Sequence, residues 1–267
     1  MDPKSYQLHH FTREFSTVKL ILQPGGGFWP RYSMEDFSWT QGRPHYLAVP
    51  CTCFCDLPLE LTSTHRGDYG DYVISFDKAS SVAKNLTPLI YVNEDGPLAK
   101  MIVSKYGRQL SLFTRLVDGS DGKKHWAPTP LDAAKLTGLW EFLPYLKSSL
   151  GHTLQRRPLP PAGGKYDRMP DYEYQWQTKF LEEEFEWRYV PEKHRDKIFC
   201  FADYAKWEMA ELSALSEPTK DSFLKFDLNE VEAVIVEDED QRKELLGLHP
   251  ELKDKVRIWT ELPPAPK

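Results

Sequence analysis

The stretch FLEEEFEWRYVP at 180–191 restricts the fold more than any other segment of the chain. From Glu184 onward the residues fall into two interleaved series. Glu184, Glu186 and Arg188 form one, and Phe185, Trp187 and Tyr189 form the other. A period of two sends successive side chains to opposite faces of a strand, whereas a helix would scatter both series around its circumference. The segment is expected to be a strand with one charged face and one aromatic face. The charged face can lie on solvent, or it can carry a carboxylate into a cleft with Arg188 holding its charge state. Glu182 and Glu183 precede the alternation and read as a solvated run.

The remaining patterns describe an α+β chain. Strands are expected at 6–12, 46–55, 72–76, 86–92, 187–191 and 231–237, with a last one in KVRIWTEL. A helix over REFSTVKLILQP is expected to be capped by Ser16 or Thr12 and ended by Pro24 and Gly25 to Gly27. A long amphipathic helix is expected over 130–150, opened by Thr129 and Pro130, and further helices over DYAKWEMAELSAL and DQRKELLGLHPELKDK. The Pro/Gly-rich stretch 156–170 reads as a mobile loop or lid, and 263–267 as a disordered tail. Strands and helices do not alternate regularly, which favours α+β over a doubly wound sheet, in one domain spanning 1–262.

Composition removes several function classes. With 34 Lys and Arg against 40 Asp and Glu, no basic stripe is available to grip a phosphate backbone. No apolar run approaches the roughly 20 residues that span a bilayer, so no membrane association is expected. The opening MDPKSYQLHHF lacks the apolar core of a signal peptide. Cys51, Cys53 and Cys55 are too closely spaced for a disulfide framework, and a reducing cytoplasm is the expected setting.

Three motifs carry candidate chemistry. In His9-His10-Phe11-Thr12, the His10 ring and the Thr12 hydroxyl share a strand face and can grip a ribose or a carbonyl; the alternative is a histidine pair beside a helix start. Cys51-x-Cys53-x-Cys55-Asp56 lacks the two-residue spacing that turns two sulfurs onto one zinc, so no metal is expected; an apolar strand ending in a functional or capping Asp56 fits better. His65 and Tyr69 stand four residues apart, as on one helical turn, or in a turn closed by Gly70. No G-x-S-x-G elbow or P-loop occurs, and Gly25-Gly26-Gly27 follows a helix, the wrong context for a dinucleotide fingerprint.

AVPCTCFCDLPLELTSTHRGDYGDYVISFDK, TPLIYV, FEWRYVP and VEAVIV, in that order, resemble the AbiGi family of bacterial abortive-infection phage-resistance proteins, labelled an antitoxin. The order of HFT, helix, glycine and a late Glu-x-Glu strand is more distantly similar to the ADP-ribosyltransferase fold, DarT-like enzymes included. That likeness implies split mixed or antiparallel sheets with flanking helices, and NAD as substrate. It implies Glu186 as the carboxylate that stabilises an oxocarbenium-like state and holds a ribose hydroxyl, with Glu184 orienting the acceptor. His10 and Thr12 would position the nicotinamide half or the adenosine ribose, and Tyr69 would stack. Asp56, His65 and Arg188 complete the expected binding set. The acceptor would be nucleic acid or protein. The family label implies instead a non-catalytic antitoxin that neutralises a partner toxin, and a hydrolase or nuclease using Asp56, His65 and the glutamates is a third reading.

Overall fold

The computed structural model describes residues 7–42, 45–111, 115–118, 124–127, 129–130, 141–158, 172–195, 197–201 and 217–262. Among them, β1 (Gln7–Thr12) leads into α1 (Phe15–Leu22), followed by β2 (Arg31–Asp36), β3 (Tyr46–Cys55), α2 (Ser63–Tyr69), β4 (Tyr72–Asp77) and α3 (Lys78–Ala83). Then come β5 (Thr87–Pro88), β6 (Ile90–Val92), α4 (Pro97–Ser111), β7 (Arg115–Asp118), β8 (Lys124–Ala127), β9 (Thr129–Pro130), β10 (Leu146–Ser148), β11 (Leu150–Pro158) and β12 (Tyr172–Phe180). The chain continues through β13 (Glu186–Tyr189), β14 (Phe199–Phe201), β15 (Val231–Val236), α5 (Glu239–Leu248) and β16 (Val256–Ile258). The architecture is α+β, built on a ten-stranded mixed sheet. Its main path runs β16-β15-β4-β1-β3-β13-β5, with β2, β14 and β9 attached through β3. Pairing is antiparallel except between β15 and β16.

β3 is the hinge of this arrangement. Its first half pairs with β2 and β14, and its second half pairs with β13. Pro50 falls between the residues that pair with β14 (46–48) and those that pair with β13 (52–55). A residue with no N–H is tolerated where one strand edge has no neighbour. Alternation along β3 serves two cores. Leu47, Val49 and Cys51 join Ile102, Leu143 and Val190, while Phe54 joins Val18, Phe28, Ile74 and Val234. β4 and β15 are buried almost end to end, as continuous apolar runs between neighbouring strands must be.

β1 and β3 share a single pair, His9 with Cys55, whereas β1 pairs with β4 over six. Beyond His9 the two strands fork, and the fork becomes the site described below.

Several expectations need correction. α1 begins at an N-cap Glu14 that makes no side-chain cap bond, so neither Ser16 nor Thr12 caps it; Ser16 instead donates to the Glu14 carboxylate at 3.2 Å. The expected strand 86–92 is two strands in different sheets, separated by Leu89, because β5 pairs with β13 and β6 with β10. The end of the expected helix 130–150 is a 3-10 turn, Leu143–Tyr145, followed by β10. Pro144 has no N–H for an internal helical bond, and the chain passes from the 3-10 turn straight into β10, so the apolar pattern there serves strand burial. Residues 131–140 lie outside the described residues. Residues 156–158 complete β11, in a hairpin with β12, and the rest of 156–170 lies outside the described residues, as do 203–215 and 263–267. The closing helix stops at Leu248, before Pro250.

Gly70 fixes the approach of α2 to the fork. Its φ is +116°, and a Cβ there would overlap the backbone of Thr12 and Arg13. Gly70→Ala is expected to destabilise the chain by more than the ~1 kcal/mol of a simple left-handed penalty. Urea unfolding checks this, and a loss within a few tenths of a kcal/mol would contradict the packing described.

Candidate functional site

The sequence expectation of a strand at 184–190 holds from Glu186. Ahead of it, Leu181–Glu184 forms a 3-10 turn, and Phe185 takes a left-handed conformation with φ +46°. A left-handed Phe is costly, and here it turns the chain so that Glu184 swings back beside Glu186 without being in the same strand. Phe185 itself is about half exposed. Glu183 is exposed, as expected of a solvated run.

The polar series is the buried one. Glu186 and Arg188 are buried while Trp187 and Tyr189 are only partly so. Arg188, with 0 % exposure, is the largest fully enclosed side chain among the described residues. Its Nε donates to Glu186 at 2.6 Å, its Nη1 donates to the Pro144 carbonyl at 2.9 Å, and its Nη2 pairs with Glu35. Lys147, from β10, closes the network from the other side, donating to Glu184 at 2.7 Å and to Glu186 at 2.6 Å. Tyr69 donates to the second oxygen of Glu184 at 2.8 Å, and the hydroxyl of Tyr91 accepts the Glu186 backbone N–H at 2.9 Å.

These contacts decide the charge states. Burial alone pushes the Glu186 carboxyl up, but Arg188 and Lys147 outweigh it and hold it well below the usual carboxylate range. Burial pushes Lys147 down, and Glu186, Glu35 and Glu184 more than reverse that. Three carboxyl groups, of Glu35, Glu184 and Glu186, and the cations of Arg188 and Lys147 are thus brought together in one network.

This network forms one wall of a cleft of about 830 Å³ in the fork between β1 and β3. His10, Thr12, His65, Tyr69, Lys147, Glu184 and Glu186 all line it. Strand pairing sets their sides. His9, opposite Cys55, shares the face of Glu186, whereas His10 and Thr12 lie on the other face, across the fork. The His10 Nδ1 lies 2.9 Å from the Cys53 carbonyl oxygen. A carbonyl only accepts, so Nδ1 carries the proton and Nε2 is the accepting nitrogen of a neutral ring. Phe28 and Phe54 pack against that ring at centroid distances of 4.7 and 5.5 Å. His65 contacts the Glu184 carbonyl through Nε2 at 3.2 Å.

Two expected binding residues are placed elsewhere. Asp56 pairs with Lys78 and accepts from the Trp187 indole at 3.2 Å, and it is absent from the cleft lining. Arg188 is sealed behind Glu186, with all its described bonds spent on protein groups, so it supports the site without reaching a ligand. Lys147 and Glu35 carry no sequence signal of their own; the apolar surroundings of Lys147 resemble a helical pattern, and Glu35 sits in a mixed segment. The Cys51 and Cys53 sulfurs are 3.7 Å apart, and burial pushes the Cys55 thiol up to about 12. No group of His, Cys, Asp and Glu among the described residues is arranged to hold a metal ion. A second groove of about 1030 Å³ runs along α1 past Lys84 and Leu248, and contains none of the expected site residues.

Two predictions follow from burial. Arg188→Met removes the guanidinium from buried Glu35 and leaves Glu186 with Lys147 alone, and is expected to cost about 3–5 kcal/mol in urea unfolding; a loss below about 1 kcal/mol would contradict the network. His9 and His10 are lowered by burial from 6.5 to about 4. The unfolded chain therefore binds more protons than the folded one between those values, and stability is complete above pH 6.5 and falls as pH drops towards 4. The expected slope is about 1.4 kcal/mol per pH unit for each ring. A stability flat over that window, measured by urea titration at fixed ionic strength, would contradict the burial of both.

Among the described residues no helix is long and apolar enough to cross a membrane. No solved structure matches the chain, so the ADP-ribosyltransferase likeness has no structural neighbour behind it. A curated relative, "Abortive phage resistance protein AbiGi" of Lactococcus lactis subsp. cremoris, is 24% identical over 239 residues, covering 82% of this chain and 86% of the relative. Residues 27–236 match the family described as "Putative abortive phage resistance protein AbiGi, antitoxin". That span contains β3 and the whole charged network but not β1, the other side of the fork, and the chain belongs to the AbiGi family of abortive phage resistance proteins.

Proposed function

We propose that this chain acts in phage defence as an NAD-dependent ADP-ribosyltransferase-like enzyme with its site in the fork. The observation that carries the reading is the cleft itself. It sets a rigid, ionised Glu186, with Glu184 beside it, against aromatic walls from Phe28, Phe54 and Tyr69. Such a site suits a flat ring bearing one positive charge, and the pyridinium of NAD has that chemistry.

In this reading the bond between ribose C1′ and the nicotinamide nitrogen breaks, and its electron pair neutralises the ring. The positive charge passes to the ribose, so the site faces one cation before and during the step. A fixed carboxylate nearby stabilises that charge without reorganising. Glu186 has room for this role. Arg188 and Lys147 each donate to a different oxygen of the carboxylate, which leaves acceptor capacity for a ribose hydroxyl. Glu184, anchored by Tyr69 and Lys147, orients the acceptor hydroxyl or amine that attacks C1′, and the proton the acceptor loses passes to water. The His10 Nε2 accepts a hydrogen bond from the ligand across the fork.

Incubation with labelled NAD is expected to release nicotinamide and mark a nucleic acid or protein, and Glu186→Gln to reduce this about 10²–10³-fold. NAD in its oxidised form is expected to bind at least about tenfold tighter than the reduced form, whose ring is uncharged; a tenfold difference is 1.4 kcal/mol. Equal binding of the two forms, or turnover unchanged by Glu186→Gln, would contradict the reading.

The family description favours a second reading, a non-catalytic antitoxin that binds and neutralises a partner toxin. It predicts that co-expression rescues growth from a neighbouring toxin equally well with Glu186→Gln. Toxicity of the chain expressed alone would count against it.

A further inference from the structure

α1 packs on the core with one side only. Val18, Ile21 and Leu22 are buried, while Ser16, Lys19, Leu20 and Gln23, spaced as one helical face, line the open groove of about 1030 Å³. Leu20 is 60 % exposed, and Leu248, which enters the same groove from the end of α5, is 57 % exposed. Phe226 and Leu228 add apolar lining that is only partly buried. Large apolar side chains left open beside an unpartnered helix stripe suit the apolar face of a second chain.

The polar groups of the groove define that chain. Lys19 from α1, Lys84 after α3 and Lys225, next to the residue that bridges to Phe28, converge on it. The carboxylates in the lining are engaged within the protein. Glu230 meets Lys84 at 3.0 Å with one oxygen and accepts the Asp227 backbone N–H at 2.7 Å with the other. The Asp227 carboxylate accepts the Glu230 backbone N–H, and Glu251 lies 3.8 Å from His249. The lysines keep more in reserve. Lys19 and Lys84 have one described carboxylate partner each, and an ammonium has three donors. Lys225 is exposed and pairs with no described residue. We propose that the groove along α1 is the docking site of a protein partner, which enters it with an amphipathic segment carrying leucine-type side chains on one face and carboxylates beside them.

The groove also leads to the fork. Leu20, Ile21, Gln23, Gly25 and Gly26 line both the groove and the cleft. A Cβ on Gly26 would fall within 2.8 Å of three backbone carbonyl oxygens, so the boundary at this point is bare backbone. No side chain at Gly25 or Gly26 blocks a segment that runs from α1 towards the glutamates. Taken with the transferase reading, on which this last step rests, the docked protein is the acceptor.

The test needs no turnover. A fluorescein-labelled peptide of glutamate and leucine at helical spacing is titrated with the full chain by fluorescence polarisation, beside a counterpart with lysine in place of every glutamate. The net charge of −6 favours the basic peptide by non-specific attraction. The proposal predicts the opposite order, with the acidic peptide bound at least about tenfold tighter at about 0.15 M salt. Lys225→Glu and Leu248→Gln, both at exposed positions, are each expected to weaken the acidic peptide at least about fivefold. No binding of the acidic peptide, equal binding of the two, or binding unchanged by either substitution would overturn the proposal. So would a labelled single-stranded DNA that binds tighter than the acidic peptide and is weakened by Leu248→Gln. Acidic-peptide binding with no NAD turnover in wild type would leave the docking site standing and remove the transferase reading. Turnover in a chain that does not bind the acidic peptide would do the reverse.

Discussion

The pairing of Arg188 with Glu186 and Glu35 is the constraint around which the fork is organised. A guanidinium with no exposure is costly unless every donor finds an acceptor, and three elements supply them: β13 itself, β2 and the turn at Pro144. Holding β2 and β13 to opposite halves of β3 then fixes where β3 can bend. The same requirement draws Glu186 inward, which gives Lys147 its partner and brings Glu184 back through a left-handed Phe185. Remove the arginine, and Glu35 and Glu186 lose the guanidinium that draws them together, with Lys147 left as the cation on Glu186. Polar residues buried this way specify an arrangement that an apolar core of equal volume would leave open.

How much of this could be read from the chain depends on the range of the interaction that decides each element. The two-residue period after Glu184 showed a strand, because alternation is local. It did not show which face would be buried, and the ordinary preference for burying aromatics pointed the wrong way. Arg188 and Glu35 are 153 residues apart, so no window along the chain contains both. The helix expected over 130–150 failed at its end for a related reason. Leu143, Tyr145 and Leu146 are apolar because they pack under β3, and Pro144 ends any helix that their spacing suggests. α1, β4 and β15, whose patterns answer to one neighbouring face each, were legible almost to the residue. At the site, Glu184, Glu186, His10, Thr12, His65 and Tyr69, each singled out by a local motif, line one cleft together, while Lys147 was hidden inside an apparently amphipathic run.

Membership of the AbiGi family places the chain in phage defence and leaves its chemistry open. His10 and Glu186 lie on different faces of the sheet, and the gap between β1 and β3 lets one cleft be lined by both. The proposed transferase chemistry makes use of that cleft and its carboxylates, whereas the antitoxin reading makes no demand on them.

The most direct test is a structure of the chain with an oxidised nicotinamide dinucleotide that resists cleavage. The pyridinium is expected between the aromatic wall at Phe28 and the glutamates, with a ribose hydroxyl donating to Glu186 and the contacts of Lys147 and Arg188 to that carboxylate intact. A ligand seated instead in the groove along α1, or a Glu186 that must abandon Arg188 to meet it, would contradict the account.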